Sequence, residues 1–278
     1  MIAAVTVLYN PQPDVIRNIK TYIDYVDQLY LVDNSDTDNR QLAKLLGNED
    51  KVIYISNRSN LGIATALNIG CRKAIADGYK WIITMDQDSK VLNYDFSKIR
   101  LEESADKVAL YYPSYIINGD KYKYKITEDG KPIVVMTSGN IIDLEVFEKV
   151  NGFEDKLFID YVDIDYCLKL KESGYQLEEV EGYILEHELG KSIIKKNRLF
   201  EVLLTNHPLI RRYYISRNKF YMLHKYSNIK AYYEKEKHTL LKEIIKIILF
   251  EEQKTKKLRI IYEGYRDFKL GNFGKKVL

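Results

Sequence analysis

The sequence has little cysteine. Cys71 and Cys167 are the only two thiols among 278 residues. Neither belongs to a CxxC pair, and two isolated cysteines do not form the disulfide framework that is typical of small secreted proteins. We therefore expect a reducing compartment, and we interpret both cysteines as small buried hydrophobic residues.

Signals for export and for membrane crossing are lacking as well. The amino terminus, MIAAVTVLYNP, has neither a basic region nor a small-residue cleavage site, and it reads as a buried strand. The most apolar late segment, residues 240–250, is interrupted by Lys242, Glu243 and Lys246. It is also shorter than the roughly 20 apolar residues that a spanning helix needs. We expect a cytoplasmic protein without a membrane span.

Charge of one sign is not in large excess. The 43 basic and 40 acidic residues leave a net charge of +3, which does not indicate the broad positive surface of a nucleic-acid-binding protein. We expect no nucleic-acid partner. With 46% hydrophobic residues, the chain can form one large α/β domain with an appendage.

The first 90 residues alternate short apolar runs with helical patterns, which is typical of βαβ units. Strands are predicted at residues 2–8, 28–32, 52–55 and 81–85. One helix is predicted after Pro13, with apolar residues from Val15 to Val26, and another at residues 64–76. The sequence therefore predicts a doubly wound, mostly parallel sheet.

The pattern changes after residue 108. Short tyrosine-rich runs up to residue 136 are separated by turn signals at residues 118–120 and 128–130, which predicts a small antiparallel insert. Helices at 143–150 and 163–173 and a strand near Ile184 complete a first domain, which we assign to residues 1–195. Residues 196–278 show helical periodicity at 210–226, 239–251 and 254–268, and we expect them to form a C-terminal helical region.

Polar residues follow three of the predicted strands. They are Tyr9-Asn10, Asp33-Asn34-Ser35 and Asp86-Gln87-Asp88. In open α/β sheets ligands bind beyond the carboxyl ends of the strands, so these residues are candidates for a binding site. Paired carboxylates after an apolar strand favour a cation such as Mg²⁺ or Mn²⁺, although a solvated turn is the alternative for Asp86 and Asp88.

Three further features are less specific. His187 follows another strand and is a candidate third metal ligand, or else a histidine packed on the sheet. Asp33 offers an acceptor to the N3–H of uracil or thymine, or else caps a helix that begins after Ser35. Asn60-Leu61-Gly62 predicts a tight turn at a helix start, where backbone N–H groups can face an anionic ligand.

The run FIDYVDIDY, residues 158–166, places three carboxylates in an otherwise apolar segment. If the helix starts near Tyr161, Asp163 points into the cleft as a candidate general base, while Asp165 caps the helix or faces solvent. The alternative is that these acidic residues only stabilise the amino-terminal end of a helix.

The order of the motifs is VTVLYNP, LVDNS, NLGIATALNIG, MDQDS, TSGN, FIDYVDIDYCLKL and HELG. This order resembles the family 2 glycosyltransferases with the GT-A fold, over nearly the whole chain. The NxGxAxAxN spacing, the DQDS form, the YVDID-like segment and the HxLG ending resemble the rhamnosyltransferases of that family. The segments HPLIRRYYISRN and IYEGYRDFKLGNFGK are similar to the same subgroup.

The resemblance implies a role for individual residues. Donor-binding residues would be Tyr9, Asn10, Asp33, Asn60, Gly62, Asp86, Arg211 and Arg212. Asp33 would contact the thymine base, and helix packing is the alternative for the two arginines. Asp88 and His187 would bind Mn²⁺ or Mg²⁺, Asp163 would be the catalytic base, and Ser138, Gly139 and Asn140 would lie on the acceptor side. Lys169 stands where the family often has arginine, which puts a bidentate contact there in doubt.

The implied reaction is an inverting transfer of L-rhamnose from dTDP-rhamnose to a saccharide or lipid-linked saccharide in cell-surface polysaccharide synthesis. A UDP-hexose donor is one alternative, and a non-catalytic sugar-nucleotide or polysaccharide binding subunit is another. A nucleotidyltransferase would need a Gly-rich, basic loop after the first strand, and residues 9–13 provide neither glycine nor a basic residue.

The tail mixes lysine and arginine with tyrosine, leucine and isoleucine at helical spacing. Such a pattern fits contact with an anionic membrane surface at the inner face of the membrane, where lipid-linked acceptors reside. The alternatives are packing on the catalytic domain and formation of a homodimer.

Overall fold

The structure, a computed structural model, describes residues 1–47, 49–94, 101, 107–117, 119–124, 126–187, 193–197, 200–204 and 208–276. The strands are β1 (Ile2–Leu8), β2 (Gln28–Asp33), β3 (Val52–Ser56), β4 (Trp81–Asp86), β5 (Ser89–Asn93), β6 (Val108–Ile117), β7 (Asp120–Lys121), β8 (Thr127–Glu128), β9 (Lys131–Pro132), β10 (Asn140–Asp143), β11 (Gln176–His187), β12 (Ile193–Asn197) and β13 (Phe200–Leu204). The α-helices are α1 (Val15–Ile19), α2 (Arg40–Lys44), α3 (Ile63–Ala76), α4 (Leu144–Lys149), α5 (Val162–Glu172), α6 (Leu209–Lys225), α7 (Lys230–Phe250) and α8 (Lys254–Leu270). Asn118 of the first predicted turn, and the three residues that follow His187 in HELG, lie outside this description.

The main sheet has the strand order β3-β2-β1-β4-β10-β6-β11-β5, and β7 pairs with β6. Strands β3, β2, β1 and β4 are parallel, as are β6 and β11. Strand β10 is antiparallel to both of its neighbours, and β5 is antiparallel to β11. The four strands predicted in the first 90 residues are confirmed, and the mostly parallel sheet places their carboxyl ends at one edge.

Helix α3 covers the first half of the sheet with a face of small residues. Ala64, Ala66, Cys71 and Ala74 are fully buried. Small side chains allow the helix to approach the strands closely, and the closest approach is at Gly70. A Cβ atom at that position would lie 2.2 Å from Cγ2 of Val5, in the middle of β1.

Two predictions of local structure are wrong in detail. The segment after residue 108 does not begin as an antiparallel insert, because β6 is a ten-residue strand in the middle of the main sheet. Only β7, β8 and β9 form short antiparallel pairs. The apolar run after Pro13 is also not one helix, since α1 ends at Ile19 and a separate 3-10 turn follows at Ile23–Tyr25.

The described residues form two compact units, residues 1–187 with 273–278 and residues 188–272. The predicted boundary between residues 195 and 196 falls inside β12, which pairs with β13 and not with the main sheet. Helices α6 and α8 of the second unit meet at Gly264, where a Cβ atom would lie 2.8 Å from the backbone nitrogen of Arg217. Among the described residues, no helix is long and apolar enough to cross a membrane.

The close approach of α3 to β1 can be tested at Gly70. We expect Gly70→Ala to lower the free energy of unfolding by about 1–3 kcal/mol, because the added methyl group collides with Val5 and outweighs the higher helix propensity of alanine. Urea denaturation measures the change. Arg72→Ala on the exposed side of the same helix is the control and should change stability by about 0.5 kcal/mol or less. Equal effects at both positions would contradict this packing.

Candidate active site

The turn between β4 and β5 carries the two carboxylates of the DQDS motif. Its middle residue, Gln87, fixes it to the end of β1: the Tyr9 backbone N–H donates to Gln87 Oε1 at 2.9 Å, and Gln87 Nε2 donates to the Tyr9 carbonyl at 3.2 Å. Asn18 Nδ2 donates to the Gln87 carbonyl at 2.9 Å. The turn is therefore held on two sides, with Asp86 at the end of β4 and Asp88 exposed.

His187 reaches this turn through strand register. Strand β11 pairs antiparallel with β5 so that His187 lies opposite Ser89. Ser89 Oγ lies 2.8 Å from His187 Nδ1, and Asp88 Oδ1 lies 3.6 Å from the same nitrogen. One oxygen of Asp86, one of Asp88 and one ring nitrogen of His187 all lie within 4.8 Å of one another. The structure thus brings together the three residues that the sequence proposed around a metal.

The electrostatics of this group suit a divalent cation. The pKa of Asp86 is raised to about 6, first by burial and then by the neighbouring charge of Asp88, while His187 acts in the opposite direction. The partly buried carboxylate of Asp86 beside the exposed carboxylate of Asp88 is unfavourable until a positive charge joins them. Two carboxylate oxygens and one imidazole nitrogen are ligands that Mn²⁺ accepts well and that Mg²⁺ can also use. The hydrogen bond between Ser89 and Nδ1 orients the His187 ring.

Asp163 lies in the first turn of α5 and is partly buried. Its pKa is raised to about 6, chiefly by burial and also by the charges of Asp160 and Asp86, while the hydrogen bond from the Ile164 N–H acts to lower it. The effect of Asp86 on Asp163 places the candidate base in the electrostatic neighbourhood of the candidate metal ligands. A carboxylate with a pKa near 6 is a better proton acceptor than an ordinary aspartate.

The backbone before Asp163 is strained, which sequence reasoning missed. Phe158, Asp160 and Tyr161 have positive φ values of 31°, 63° and 69°. Non-glycine residues rarely adopt such values, and they persist where the surrounding structure enforces them, often at active sites. Nothing in the residue types of this segment signals the strain.

The Asn60–Gly62 turn explains part of that enforcement. The Gly62 N–H donates to Asn60 Oδ1 at 3.0 Å, and the Ile63 N–H donates to the Phe158 carbonyl at 2.7 Å. Gly62 has a φ of +92°, and a Cβ atom there would lie 2.6 Å from the Phe158 oxygen. The predicted tight turn is confirmed, and it packs directly against the strained segment at Phe158.

Asp33 is fully buried, and its carboxylate is engaged within the chain. It accepts from the Ser35 N–H and from Asn39 Nδ2, both at 2.9 Å, and from the Tyr54 hydroxyl at 2.5 Å. Burial acts to raise the pKa of Asp33, but these hydrogen bonds outweigh it and hold the pKa below its ordinary value. Asp33 therefore caps the turn at Ser35 and not a helix, because the next helix begins only at Arg40, and contact with a base stays a prediction.

The proposed acceptor-side residues make hydrogen bonds to the end of β4, where the DQDS motif begins. Ser138 and Asn140 are buried, and Ser138 Oγ accepts from the Asp86 N–H at 3.0 Å. The Gly139 N–H donates to the Thr84 carbonyl at 2.6 Å, and the Tyr115 hydroxyl donates to the Ser138 carbonyl at 2.5 Å. These contacts position Asp86. A direct contact of Ser138, Gly139 or Asn140 with an acceptor stays a prediction.

Asp165 differs from its prediction. It is fully buried and neither caps α5 nor faces solvent. Lys169 Nζ lies 3.3 Å from Asp165 Oδ2 and donates to the Gly152 carbonyl at 2.9 Å. The physical reason is the helical spacing of four residues, which pairs the two charges inside the domain. In this chain Lys169 therefore balances the buried charge of Asp165 and binds the Gly152 carbonyl.

The two arginines proposed for donor binding have different environments. Arg212 is buried within the second unit, where Nη1 donates to Glu243 at 2.9 Å and Nη2 donates to Glu251 at 3.1 Å. The packing alternative is therefore the one seen for Arg212. Arg211 is exposed, and its contact with a donor stays a prediction.

The contact between Ser89 and His187 leads to a prediction about cation affinity. We expect Ser89→Ala to weaken Mn²⁺ binding about 10- to 100-fold, because the imidazole loses the partner that orients its ring and selects its tautomer. Titration calorimetry with Mn²⁺ measures the affinity. Ser59→Ala, at a partly buried serine before α3, is the control and should leave it unchanged. Unchanged affinity in Ser89→Ala would show that His187 is not held this way.

The ionised side chain of Asp163 should lower the free energy of unfolding at neutral pH. Its pKa is raised from 3.8 to about 6, so the folded state disfavours the ionised form above pH 6 and carries no such cost below about pH 4. We expect Asp163→Asn to raise the free energy of unfolding by about 1–2 kcal/mol at pH 8 and to have little effect at pH 4. Denaturation at both pH values measures this. The exposed Asp36→Asn is the control, and a stabilisation independent of pH would contradict the argument.

Comparisons with known proteins identify the family of this chain. The family model described as glycosyl transferase family 2 matches residues 4–157. The dTDP-rhamnosyl transferase RfbF of Shigella flexneri is 32% identical over 243 residues, which cover 81% of this chain and 80% of that protein.

Two solved structures have a similar fold. GalNAc-T7, crystallised with UDP, GalNAc and Mn²⁺, superposes with a TM-score of 0.57 at 16% identity and covers 68% of this chain. S. aureus TarS gives 0.53 at 11% identity and covers 96%. This chain spans 44% and 43% of those two proteins, so they show the fold alone. The resemblance found in the sequence and the predicted GT-A-like fold are confirmed: the chain belongs to glycosyl transferase family 2.

Proposed function

We propose that this glycosyltransferase moves L-rhamnose from dTDP-rhamnose to a hydroxyl of a saccharide or lipid-linked saccharide, in the synthesis of a cell-surface polysaccharide. The observation that carries the proposal is the group of Asp86, Asp88 and His187, with the perturbed carboxylate of Asp163 within its electrostatic reach. The choice of donor is supported by the likeness to a dTDP-rhamnosyl transferase over most of both chains.

In the proposed reaction, Asp163 takes the proton of the acceptor hydroxyl. The hydroxyl oxygen bonds to the anomeric carbon as the bond from that carbon to the diphosphate oxygen breaks, with inversion, and dTDP leaves. A pKa near 6 leaves Asp163 mostly ionised at neutral pH, ready to accept this proton. A divalent ion held by Asp88 and His187, beside Asp86, would supply charge stabilisation for the departing diphosphate.

The donor would lie along the carboxyl ends of β1 to β4. Tyr9 and Asn10 follow β1, and the Asn10 N–H donates to Ser35 Oγ at 2.7 Å, which ties the ends of β1 and β2 together. Asn60 and Gly62 form the turn at the start of α3. Asp33 shapes this region through its bonds to Asn39 and Tyr54.

The donor choice is tested by titrating the protein with dTDP-rhamnose, UDP-glucose and UDP-galactose, each with and without Mn²⁺. We expect metal-dependent binding that favours dTDP-rhamnose. Preference for a UDP-hexose would replace the proposed donor with the alternative. No binding of any of these donors would favour a non-catalytic role.

The same variant that tests stability also tests the base. We expect Asp163→Asn to lower the transfer rate about 10²- to 10⁴-fold, because the amide cannot accept the acceptor proton, and to leave donor affinity nearly unchanged. Rate assays and donor titration separate the two effects. Asp36→Asn should keep full activity. Retained turnover in Asp163→Asn would remove this residue from the role of base.

A further inference from the structure

The near-neutral charge of the chain conceals a strong asymmetry. Residues 209–270 contain 16 basic and 7 acidic side chains, whereas the rest of the chain contains 27 basic and 33 acidic ones. The helical segment of α6, α7 and α8 is therefore strongly basic, and the remainder is acidic. Such a separation within one chain indicates a partner of negative charge for the basic part.

The excess of basic over acidic residues is larger among the exposed side chains of these helices. Three of the acidic residues, Glu236, Glu243 and Glu251, neutralise the buried bases Arg212 and Lys219. Of the charged residues in α6 to α8 and their connections, ten basic but only two acidic ones are exposed. The acidic side chains are thus largely used inside the helical unit, while the basic ones face solvent.

An apolar surface lies at the carboxyl end of α7. Leu241, Ile245, Ile248 and Leu249 are between 45% and 60% exposed. Their spacing of four, seven and eight residues places them on one side of the helix, opposite the buried Ile247. We call these four residues the α7 patch. Four large aliphatic side chains exposed together on one helix face are unusual for an isolated protein.

Lysines border the α7 patch. Lys242 is three residues before Ile245 and seven before Leu249, and Lys246 is three before Leu249, so both lie along one flank of the apolar stripe. Lys242 is exposed and Lys246 is half-buried. An apolar stripe flanked by lysines is the arrangement of a helix that lies in a membrane interface, because the long lysine stems reach the headgroups while the apolar side chains enter the acyl region.

A second copy of the chain fits this surface less well. The four side chains expose on the order of 400 Å² together, whereas a stable pair buries roughly 800 Å² on each partner. A two-fold contact through the patch with antiparallel helices would also bring the lysine flanks of both copies together, which is repulsive. A lipid surface has neither restriction, and anionic headgroups complement the basic excess.

We propose that the α7 patch and its flanking lysines dock this chain on the surface of an anionic lipid bilayer. The contact is peripheral: the helix lies along the interface and does not cross it. This docking does not depend on the donor or on the chemistry at Asp163, so it can be tested separately from the proposed function.

The test is flotation of the full chain with vesicles of pure phosphatidylcholine or with about 30% phosphatidylglycerol. We expect binding to the anionic vesicles, weaker by about tenfold or more on neutral vesicles and released by about 0.5 M NaCl, because salt screens the attraction. Lys242→Gln with Lys246→Gln should weaken binding about 10- to 30-fold. Ile245→Gln with Ile248→Gln should weaken it at least as much.

The matched control is Lys20→Gln with Lys44→Gln, which removes the same charge from exposed positions outside the helical unit and should leave binding unchanged. Thermal denaturation of each variant shows that it is folded. Asp163→Asn should bind vesicles like the original chain, which separates this proposal from the catalytic one.

Two results would overturn the proposal. Equal loss in the control and in the lysine variant would assign binding to net charge alone. Absence of vesicle binding, with sedimentation showing a dimer that Ile245→Gln with Ile248→Gln converts to a monomer, would assign the α7 patch to a second copy of the chain.

Discussion

The cost of keeping carboxylates ionised in partly buried positions governs the structure of this site. Asp86 and Asp163 both have their pKa raised to about 6, chiefly by burial, and the charge of Asp86 adds to the shift of Asp163. The surrounding contacts hold both side chains in positions where ionisation is unfavourable. Ser138 fixes the backbone of Asp86, and Gln87 fixes the turn that follows it. Such a cost is retained where charged groups must act on a ligand.

Strand topology brings the participants together from three distant parts of the sequence. Strand β11 runs parallel to β6 on one side and antiparallel to β5 on the other, so its last residue, His187, arrives beside Ser89. The candidate metal ligands are therefore held by backbone pairing, with His187 at the end of one strand and Asp88 in the turn before another. A site built on strands keeps its geometry better than one built on mobile loops.

Much of this arrangement could be predicted from the sequence, because the carboxyl ends of parallel strands meet at one edge. That rule alone selects the polar residues after three strands as site candidates: Tyr9-Asn10, Asp33-Asn34-Ser35 and Asp86-Gln87-Asp88. It does not show partners within the protein. Asp165 was expected to cap or to face solvent because the acidic pattern of a helix start does not reveal a lysine four residues on inside the core.

The remaining misses have the same origin. The hydrogen bonds of Ser138 and Asn140 to neighbouring strands could not be read from the sequence, and their contact with an acceptor stays a prediction. The positive φ values at Phe158, Asp160 and Tyr161 follow from tertiary packing and leave no trace in residue types. Strand β6 was taken for part of a hairpin because the turn signals after it are strong, while its place in the sheet depends on strands far along the chain.

The contact between Gly62 and Phe158 also constrains how this chain can change over evolutionary time. The turn before α3 and the segment before α5 are almost a hundred residues apart, yet they share a backbone hydrogen bond and leave no room for a side chain between them. A side chain gained at position 62 would displace the backbone that leads to Asp163. The Asn60–Gly62 turn and the segment that leads into α5 are therefore expected to change together in evolution. Transfer of this turn into a related protein would keep its conformation only if the segment before α5 were transferred with it.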